Sequence, residues 1–548
     1  MLSLDLEDNC IIAKSEYNPT IIAVIKSFKR AQWDSYNRIW RIPLEFNDIQ
    51  AVHSKLVTFG PICSDRVILK IKEYQENQLA KETMVSKFSE QFQDSQLKEF
   101  QKIGIVESLK KGSFLIADSM GLGKSASAIH VAYIRNQTLN EKIIIICPSS
   151  LKNQWEREIN KWIPNQDIQI IEGSKNTRTS QWSNLKIWDI CSFECFRVDK
   201  PNVSKCFLII DEASKLKNPN AIISKTVAAK RQEVSDVLLL TGTPLENNLQ
   251  DFWNILSIIK PNWLSKQEFF STFVIWDEIW AGATRGNIHT ITGYKNFEAF
   301  RNRAKDMFIR RRKEEVTDLL PKNYELRQID FTHEQKLIEH QLIEKVKESE
   351  NENMVLGLLQ LLRVNASDPR ALELSSSEFA HGISVSKPSN KINEIRDICN
   401  ETDCKIIVFT QFARVAELIA ADLKEYKPFI ITGEDKDKDS IIQQFKADKD
   451  RRLLITTDTL AYGHSIDEAD ILIHYDTPYG LGKIMQREDR IHRMDSTRAK
   501  TIIYLFSGEV ENHVGVLVRN KLEMYSKVVD GENDNAIVSS IFRYIRDK

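Results

Sequence analysis

One stretch of the chain, Asp118-Ser119-Met120-Gly121-Leu122-Gly123-Lys124-Ser125, gathers two glycines, a lysine and a hydroxyl. That combination suits phosphate chemistry. Glycines let backbone N–H groups close on phosphate oxygens, and a helix starting at the lysine adds a favourable dipole. Lys124 would reach the β- and γ-phosphates, and Ser125 would ligate Mg²⁺. The strict loop pattern asks for glycine six residues before the lysine, and Asp118 stands there instead. A second group, Phe207-Leu208-Ile209-Ile210-Asp211-Glu212, is an apolar run ending in two acids. Carboxylates at the end of a buried strand are costly unless something occupies them. Asp211 would hold Mg²⁺ through its water shell, and Glu212 would polarise an attacking water as general base. A bland acid pair capping a helix is the alternative, and the phosphate loop upstream weighs against it. The two groups together describe a site for a nucleotide polyphosphate and Mg²⁺.

These side chains must be brought together, and the flanking sequence says how. Phe114-Leu115-Ile116-Ala117 enters the glycine loop, Lys142 to Cys147 holds four consecutive isoleucines, and Cys206 to Ile210 and Val237 to Leu240 are further apolar runs. Such runs, separated by helical segments, predict strands of a parallel sheet buried on both faces. The series restarts at Lys405 to Phe409, Pro428 to Ile431, Leu453 to Thr456, Ile471 to Tyr475 and Thr501 to Phe506, which implies a second α/β lobe. Between the two, Gln335 to Leu362 is helical and charged, and Ser375 to Ser389 reads as a loop. The first 80 residues form a small α+β module. Pro19-Thr20 opens a helix carrying Ile21, Ile22, Ile25 and Phe28, and Trp33 to Pro43 reads as a hairpin of two aromatic segments around a polar turn. A charged helix, Tyr74 to Phe92, leads out of it. The expected divisions are 1–80, 81–325, 326–390 and 391–548.

With 548 residues, 42% hydrophobic and 28% charged, the chain has the apolar material of a folded multidomain protein. Lys plus Arg number 76 against 77 Asp plus Glu, a net charge of −1. That excludes a binder working by bulk positive charge but leaves room for a local basic groove. Eight cysteines without a Cys-x-x-Cys pair read as reduced thiols and argue against a structural zinc site. No stretch of about 18 apolar residues occurs, and the acidic start Met1 to Asp8 lacks the pattern of a secretion signal. A monomer without membrane contact is therefore expected, in the cytoplasm (nucleoid-associated in a bacterium, host cytoplasm for a phage).

Further blocks follow in a telling order, and with them the chain resembles the Swi/Snf branch of superfamily-two helicase-like ATPases over residues 95 to 530. The family's loop typically reads D-E-M-G-L-G-K-T, so Asp118 fits, and Met120, Gly121, Leu122 and Gly123 are carried over with it. Leu97-Lys98-Glu99-Phe100-Gln101 resembles the adenine-recognition segment, with Gln101 as base reader. Cys147-Pro148-Ser149-Ser150-Leu151 with Gln154-Trp155 resembles the first DNA-contacting segment, and Ser192-Phe193-Glu194 its companion, which makes Pro148, Ser149 and Ser192 DNA-binding candidates. Leu240-Thr241-Gly242-Thr243-Pro244-Leu245-Glu246-Asn247 is close to the coupling motif. Arg310-Arg311-Arg312-Lys313 with Leu320-Pro321-Lys322 is a discriminating feature, and Leu359 to Leu362, Arg363 and Asp368-Pro369 also fit. In the second lobe Val408-Phe409-Thr410-Gln411-Phe412 resembles motif IV, with Gln411 a DNA contact. Tyr462-Gly463-His464-Ser465 departs from the usual G-x-G-L-N, Gly463 remaining an ATP-binding candidate. Gln486 to Arg493 resembles motif VI, so that Arg490 and Arg493 would act as arginine fingers. The resemblance implies two RecA-like lobes with helical insertions and an ATP-driven motor on duplex DNA.

The N-terminal pattern of helix, then Trp-Asp-x-x-x-x-x-Trp-x-x-Pro, is similar to the HARP domain of annealing helicases. It implies a single-strand/double-strand junction as substrate and ATP-driven reannealing or fork reversal as reaction. Trp33 and Trp40 beside Arg38 and Arg41 would stack on bases and meet phosphates; the alternative makes both tryptophans the module's own core. Positive charge for DNA is expected over Lys26 to Arg41, Arg301 to Lys313, and around Arg490 and Arg493. The competing function is displacement of a protein such as RNA polymerase from DNA. A catalytically silent scaffold is disfavoured because Lys124, Asp211, Glu212 and Arg493 are all present, and no second metal cluster suggests a nuclease.

Overall fold

The computed structural model describes residues 2–44, 48–280, 287–317, 319–320, 322–349, 352–373, 377–380, 383–435, 437–461, 466–493 and 496–531. Its N-terminal module is a five-stranded sheet in the order Gln32–Asp34, Ile39–Pro43, Cys10–Ser15, Leu2–Glu7, Ile62–Cys63. The helix Pro19–Lys26 starts where Asn18 accepts the N–H groups of Thr20 and Ile21, with proline at its first turn. Ile21, Ile25 and Phe28 from this segment meet Leu4, Ile11, Trp40 and Ile42 of the sheet in one apolar cluster. The predicted hairpin forms, with Trp33 opposite Trp40. The helix that leaves the module runs Asp65–Phe92, so the expected division at residue 80 falls inside it.

The first large sheet has seven strands in the order Phe308–Ile309, Phe114–Ile116, Asp236–Leu240, Phe207–Asp211, Ile143–Cys147, Trp188–Ser192, Ile168–Ile170, and every described pairing in it is parallel. Its central strands are apolar on both faces because helices cover both, as the isoleucine run Ile143 to Ile146 requires. Parallel strands place all their carboxyl ends along one edge. The segments after Ile116, Leu240, Asp211, Cys147 and Ser192 therefore share that edge, where ligands of open α/β sheets bind.

The second sheet has six parallel strands, Lys322–Gln328, Lys500–Phe506, Ala469–His474, Lys405–Phe409, Leu453–Thr456 and Phe429–Ile431 in that order. Lys322–Gln328 pairs along its full length with Lys500–Phe506, so the chain crosses between lobes before residue 322, ahead of the expected division at 325. The helical region is two helices, His333–Glu348 and Glu352–Ser367. The last helix, Gly508–Tyr525, turns back: Tyr525, Val528 and Val529 join the core of the first lobe. Among the described residues no helix is long and apolar enough to cross a membrane.

One buried ion pair organises the second lobe. Lys391 is fully buried, and its Nζ donates to Glu511 Oε2 at 2.7 Å, to the Tyr475 carbonyl at 2.7 Å and to the Leu505 carbonyl at 3.3 Å. It joins two helices to the ends of two strands. Glu511→Leu strands that ammonium and is expected to lower stability by about 3–5 kcal/mol, read as a lower urea midpoint. Lys391→Met combined with Glu511→Leu should recover most of the loss.

Candidate functional site

The loop after Phe114–Ile116 wraps the start of the helix Lys124–Leu139. Gly121 and Gly123 both have positive φ, +81° and +74°. At Gly123 a side chain is strained by this backbone conformation, and a Cβ would also require the Gln101 side chain to shift. Lys124 Nζ donates to the carbonyls of Asp118 at 2.9 Å and Ser119 at 3.3 Å, folding the loop around itself. Gln101 is buried. Its Nε2 donates to the Leu122 carbonyl at 3.0 Å and its Oε1 accepts the Lys98 N–H at 2.9 Å, so it fixes the loop as well as lining the cleft.

Asp118 is buried and held by a two-pronged pair. Arg311 Nε donates to Oδ1 at 2.9 Å and Nη2 to Oδ2 at 2.5 Å. Arg311 lies over the Phe100 ring at 5.2 Å and beside Gly104, where a Cβ would come within 2.6 Å of Nη2. Arg310 donates to the carbonyls of Ala117 at 2.8 Å and Gly242 at 3.4 Å and to Asp530 Oδ1 at 2.9 Å. Lys313 is buried against Asp489 and donates to the His492 carbonyl. Of the stretch Arg301 to Lys313 expected to carry positive charge for DNA, Arg310, Arg311 and Lys313 are occupied inside the protein, while Arg303 and Lys305 are exposed.

Across the cleft edge, Asp211 Oδ2 accepts the Trp155 indole N–H at 2.9 Å and Oδ1 accepts the Glu212 N–H at 2.9 Å. Glu212 adopts φ 54°, ψ 51°, a left-handed conformation costly for a side chain with Cβ. Its Oε2 is buried with no hydrogen-bond partner among the described residues. Burial pushes the Glu212 carboxyl up to about 7, Asp211 beside it adds to the rise, and Lys124 and Arg490 oppose it. Burial likewise raises Asp211 and lowers Lys124. Gly121, Gly123, Lys124, Ser125, Asp211 and Glu212 line one cleft of about 380 Å³ with Arg490 and Arg493 of the second lobe, within the ~300–1,000 Å³ typical of ligand pockets. The donor set fits a polyphosphate with a hard cation: a glycine loop and cations for the one, a hydroxyl and carboxylates for the other.

Met120 also lines this cleft, while Leu122 is buried behind the loop. Thr241, Gly242 and Thr243 lie beneath it; the Gly242 carbonyl accepts the Tyr525 O–H at 3.0 Å. Pro148 is buried and Ser149 exposed at the carboxyl edge, and Ser192 caps the helix Phe193–Asp199 two strands away from the acids. Gln411 is oriented by Asp476, which accepts its backbone N–H and its side-chain N–H, both at 2.9 Å. Trp40 belongs to the module's core, whereas Trp33 is 48% exposed, so only Trp33 of the pair offers a face. Arg38 is exposed in the hairpin turn, and Arg41 lies 3.8 Å from Asp34. Gly463, with Tyr462, His464 and Ser465, lies outside the described residues, as does Pro321.

The cleft also recruits Gln154, Glu158, Lys161 and Trp162 from the helix Lys152–Trp162. The spacing of 154, 158 and 161 marks one helical face and could have identified them; the DNA-contact assignment of Gln154-Trp155 obscured it.

Two parallel α/β lobes with a glycine loop on one and paired arginines on the other define a two-lobed, RecA-like P-loop class. Within that class the SNF2-related domain family matches residues 29–404 and the helicase conserved C-terminal domain matches 390–495. The chain belongs to the SNF2-related family. An uncharacterized ATP-dependent helicase of Mycoplasma genitalium is 26% identical over 523 residues, 91% of this chain and 48% of that protein. The ISWI chromatin-remodeling complex ATPase ISW1 of Saccharomyces cerevisiae is 24% identical over 474 residues, 80% of this chain and 41% of that protein. The chain thus spans about half the length of the curated relatives it matches. Among solved structures, the SWI2/SNF2 ATPase core of Sulfolobus solfataricus in complex with dsDNA is 22% identical with a TM-score of 0.36, covering 82% of this chain and 96% of that one.

The raised Glu212 carboxyl sets a pH dependence in protein free of nucleotide and divalent cation. The unfolded chain releases this proton near the ordinary value of 4.5 and the folded one near 7, so stability falls as pH climbs between them. Glu212→Gln should melt at a higher temperature than wild type at pH 8 and close to it at pH 4.5.

Proposed function

We propose that the chain is a Swi/Snf-type ATP-dependent translocase that hydrolyses ATP with Mg²⁺ and moves on duplex DNA. The carrying observation is that Lys124, Asp211 and Glu212 of one lobe and Arg490 and Arg493 of the other line a single cleft in a member of this family. Ser125 and Asp211 would hold Mg²⁺, which when bound neutralises phosphate charge and orients the terminal phosphoryl group. Gly121, Gly123 and Lys124 bind the phosphates, with Gln101 at the base end. Glu212, its Oε2 unengaged and its carboxyl raised, takes a proton from the attacking water. Arg490 and Arg493 stabilise charge on the phosphoryl oxygens from the opposite lobe. A nucleotide that touches both lobes favours the closed cleft, hydrolysis removes that preference, and DNA held across the lobes is advanced. Thr241 to Thr243 couple the two events, because the loop meets Arg310 and the returning helix through Gly242.

DNA as partner rests on family membership and on the shared carboxyl edge that presents Ser149 and Ser192. The N-terminal module extends the reading to forked or bubble DNA and to reannealing, in repair or replication: its hairpin carries Trp33, Tyr36 and Arg38 exposed together, a surface suited to unpaired bases and phosphates. A cytoplasmic monomer suits this reading.

The test is ATP turnover with no DNA, duplex, single-stranded and forked DNA. DNA should stimulate turnover several-fold, and Lys124→Ala or Glu212→Gln should abolish it. Turnover indifferent to DNA in the wild type sinks the translocase reading. Trp33→Ala with Arg38→Ala should lower the preference for forks and leave duplex stimulation intact; an unchanged preference removes the module from substrate choice.

A further inference from the structure

Trp155 is 2% exposed on the helix Lys152–Trp162, packed with Ile145, Ile190 and Ile209 under the first sheet. A core position of this kind asks only for an apolar ring. An indole brings an N–H that must find an acceptor when buried, and here the acceptor is Asp211 Oδ2 at 2.9 Å. The other carboxylate oxygen takes the backbone N–H of Glu212 at 2.9 Å. A carboxylate offers about four lone-pair sites, so each oxygen is anchored once and keeps one site for a further partner. The plane of Asp211 cannot turn without breaking a bond on both sides.

We infer that Trp155 is a positioning residue for Asp211: its indole N–H sets the carboxylate in the orientation in which its remaining lone pairs receive the hydrated divalent cation. The inference rests on the proposed ATP site. It differs from the DNA-contact role that the sequence of this segment suggested. Partners of metal-binding carboxylates commonly act this way, and their loss weakens metal binding about tenfold or more.

The readout is binding of a fluorescent ADP analogue, titrated with Mg²⁺ and repeated in EDTA. Trp155→Phe, which keeps a ring and loses the donor, should raise the Mg²⁺ concentration at half-saturation about tenfold while nucleotide affinity in EDTA stays unchanged. Where Trp155→Phe packs poorly, benzothienylalanine at 155 keeps the two-ring shape and deletes only the N–H, and the same shift is expected. On an Asp211→Asn background either change should add nothing, because Trp155 acts through Asp211. An unshifted Mg²⁺ midpoint in a folded variant, or effects that add on the Asp211→Asn background, overturns the inference alone. A wild type whose nucleotide binding ignores Mg²⁺ overturns the ATP-site reading together with it.

Discussion

Three residues of one basic run, Arg310, Arg311 and Lys313, carry the constraint on which the rest of the structure hangs. A guanidinium cannot shed its charge inside a protein, so a buried arginine must be matched by acids and carbonyls. Arg311 finds its match in Asp118 at the root of the phosphate loop, and Arg310 in the Ala117 and Gly242 carbonyls and Asp530. Lys313 reaches into the second lobe, to Asp489 and the His492 carbonyl, while its chain lies 3.6 Å from where a Gly121 side chain would begin. Through adjacent residues, the phosphate loop, the Thr241–Thr243 loop, the arginine-bearing segment and the returning helix are fastened to one crossing of the chain between lobes. Moving any of them exposes a charge with nowhere to go.

The same constraint explains how a chain of net charge −1 can be so rich in charged residues. Some of its cations are held internally, in pairs such as Arg135 with Glu141 and Lys391 with Glu511. Buried pairs contribute little net stability against apolar alternatives, but each is expensive to break, and so each discriminates sharply between one packing and another. That property suits an assembly whose two lobes must meet in a defined register around a cleft.

Most central strands were legible in the sequence because burial on both faces leaves no choice but apolar runs, as in Ile143 to Ile146; Trp188–Ser192 was missed because the buried Asp189 interrupts its run. Of the edge strands of the two large sheets, Phe429–Ile431 was legible as an apolar run and the others were not. Lys322–Gln328, with the sequence Lys-Asn-Tyr-Glu-Leu-Arg-Gln, is polar at most positions because only one neighbour covers it, and Ile168–Ile170 and Phe308–Ile309 are too short to announce themselves. The phosphate loop and the acid pair were legible because their chemistry needs those residue types in that order. The tasks of Trp155, Arg310 and Arg311 were hidden for the opposite reason. A tryptophan in a core and an arginine in a basic run have common, unremarkable explanations, and only contacts across 56 and 193 residues reveal the acids they serve. Likewise Trp33 and Trp40 look equivalent in sequence and share one face of the hairpin with rings 5.4 Å apart, yet Trp33 stands on the edge strand and stays half exposed while Trp40, one strand further in, joins the core.

Asp118 shows what the fastening accomplishes. A glycine at this position would let the loop adopt its shape from local torsional freedom alone. An aspartate buried there is stable only while Arg311 stands against it, and Arg311 stands there only while Gly104 leaves room and the crossing segment keeps its course. The conformation of the phosphate loop is thereby conditional on the path of the chain into the second lobe. A displacement of that lobe pulls on Lys313, and Lys313 lies next but one to Arg311, so the strain reaches the loop through a few covalent bonds and two ion pairs. The phosphate loop and the second lobe are therefore joined by a short path that does not run through the core. Asp118 is thus held by a counterion that belongs to the segment joining the two lobes.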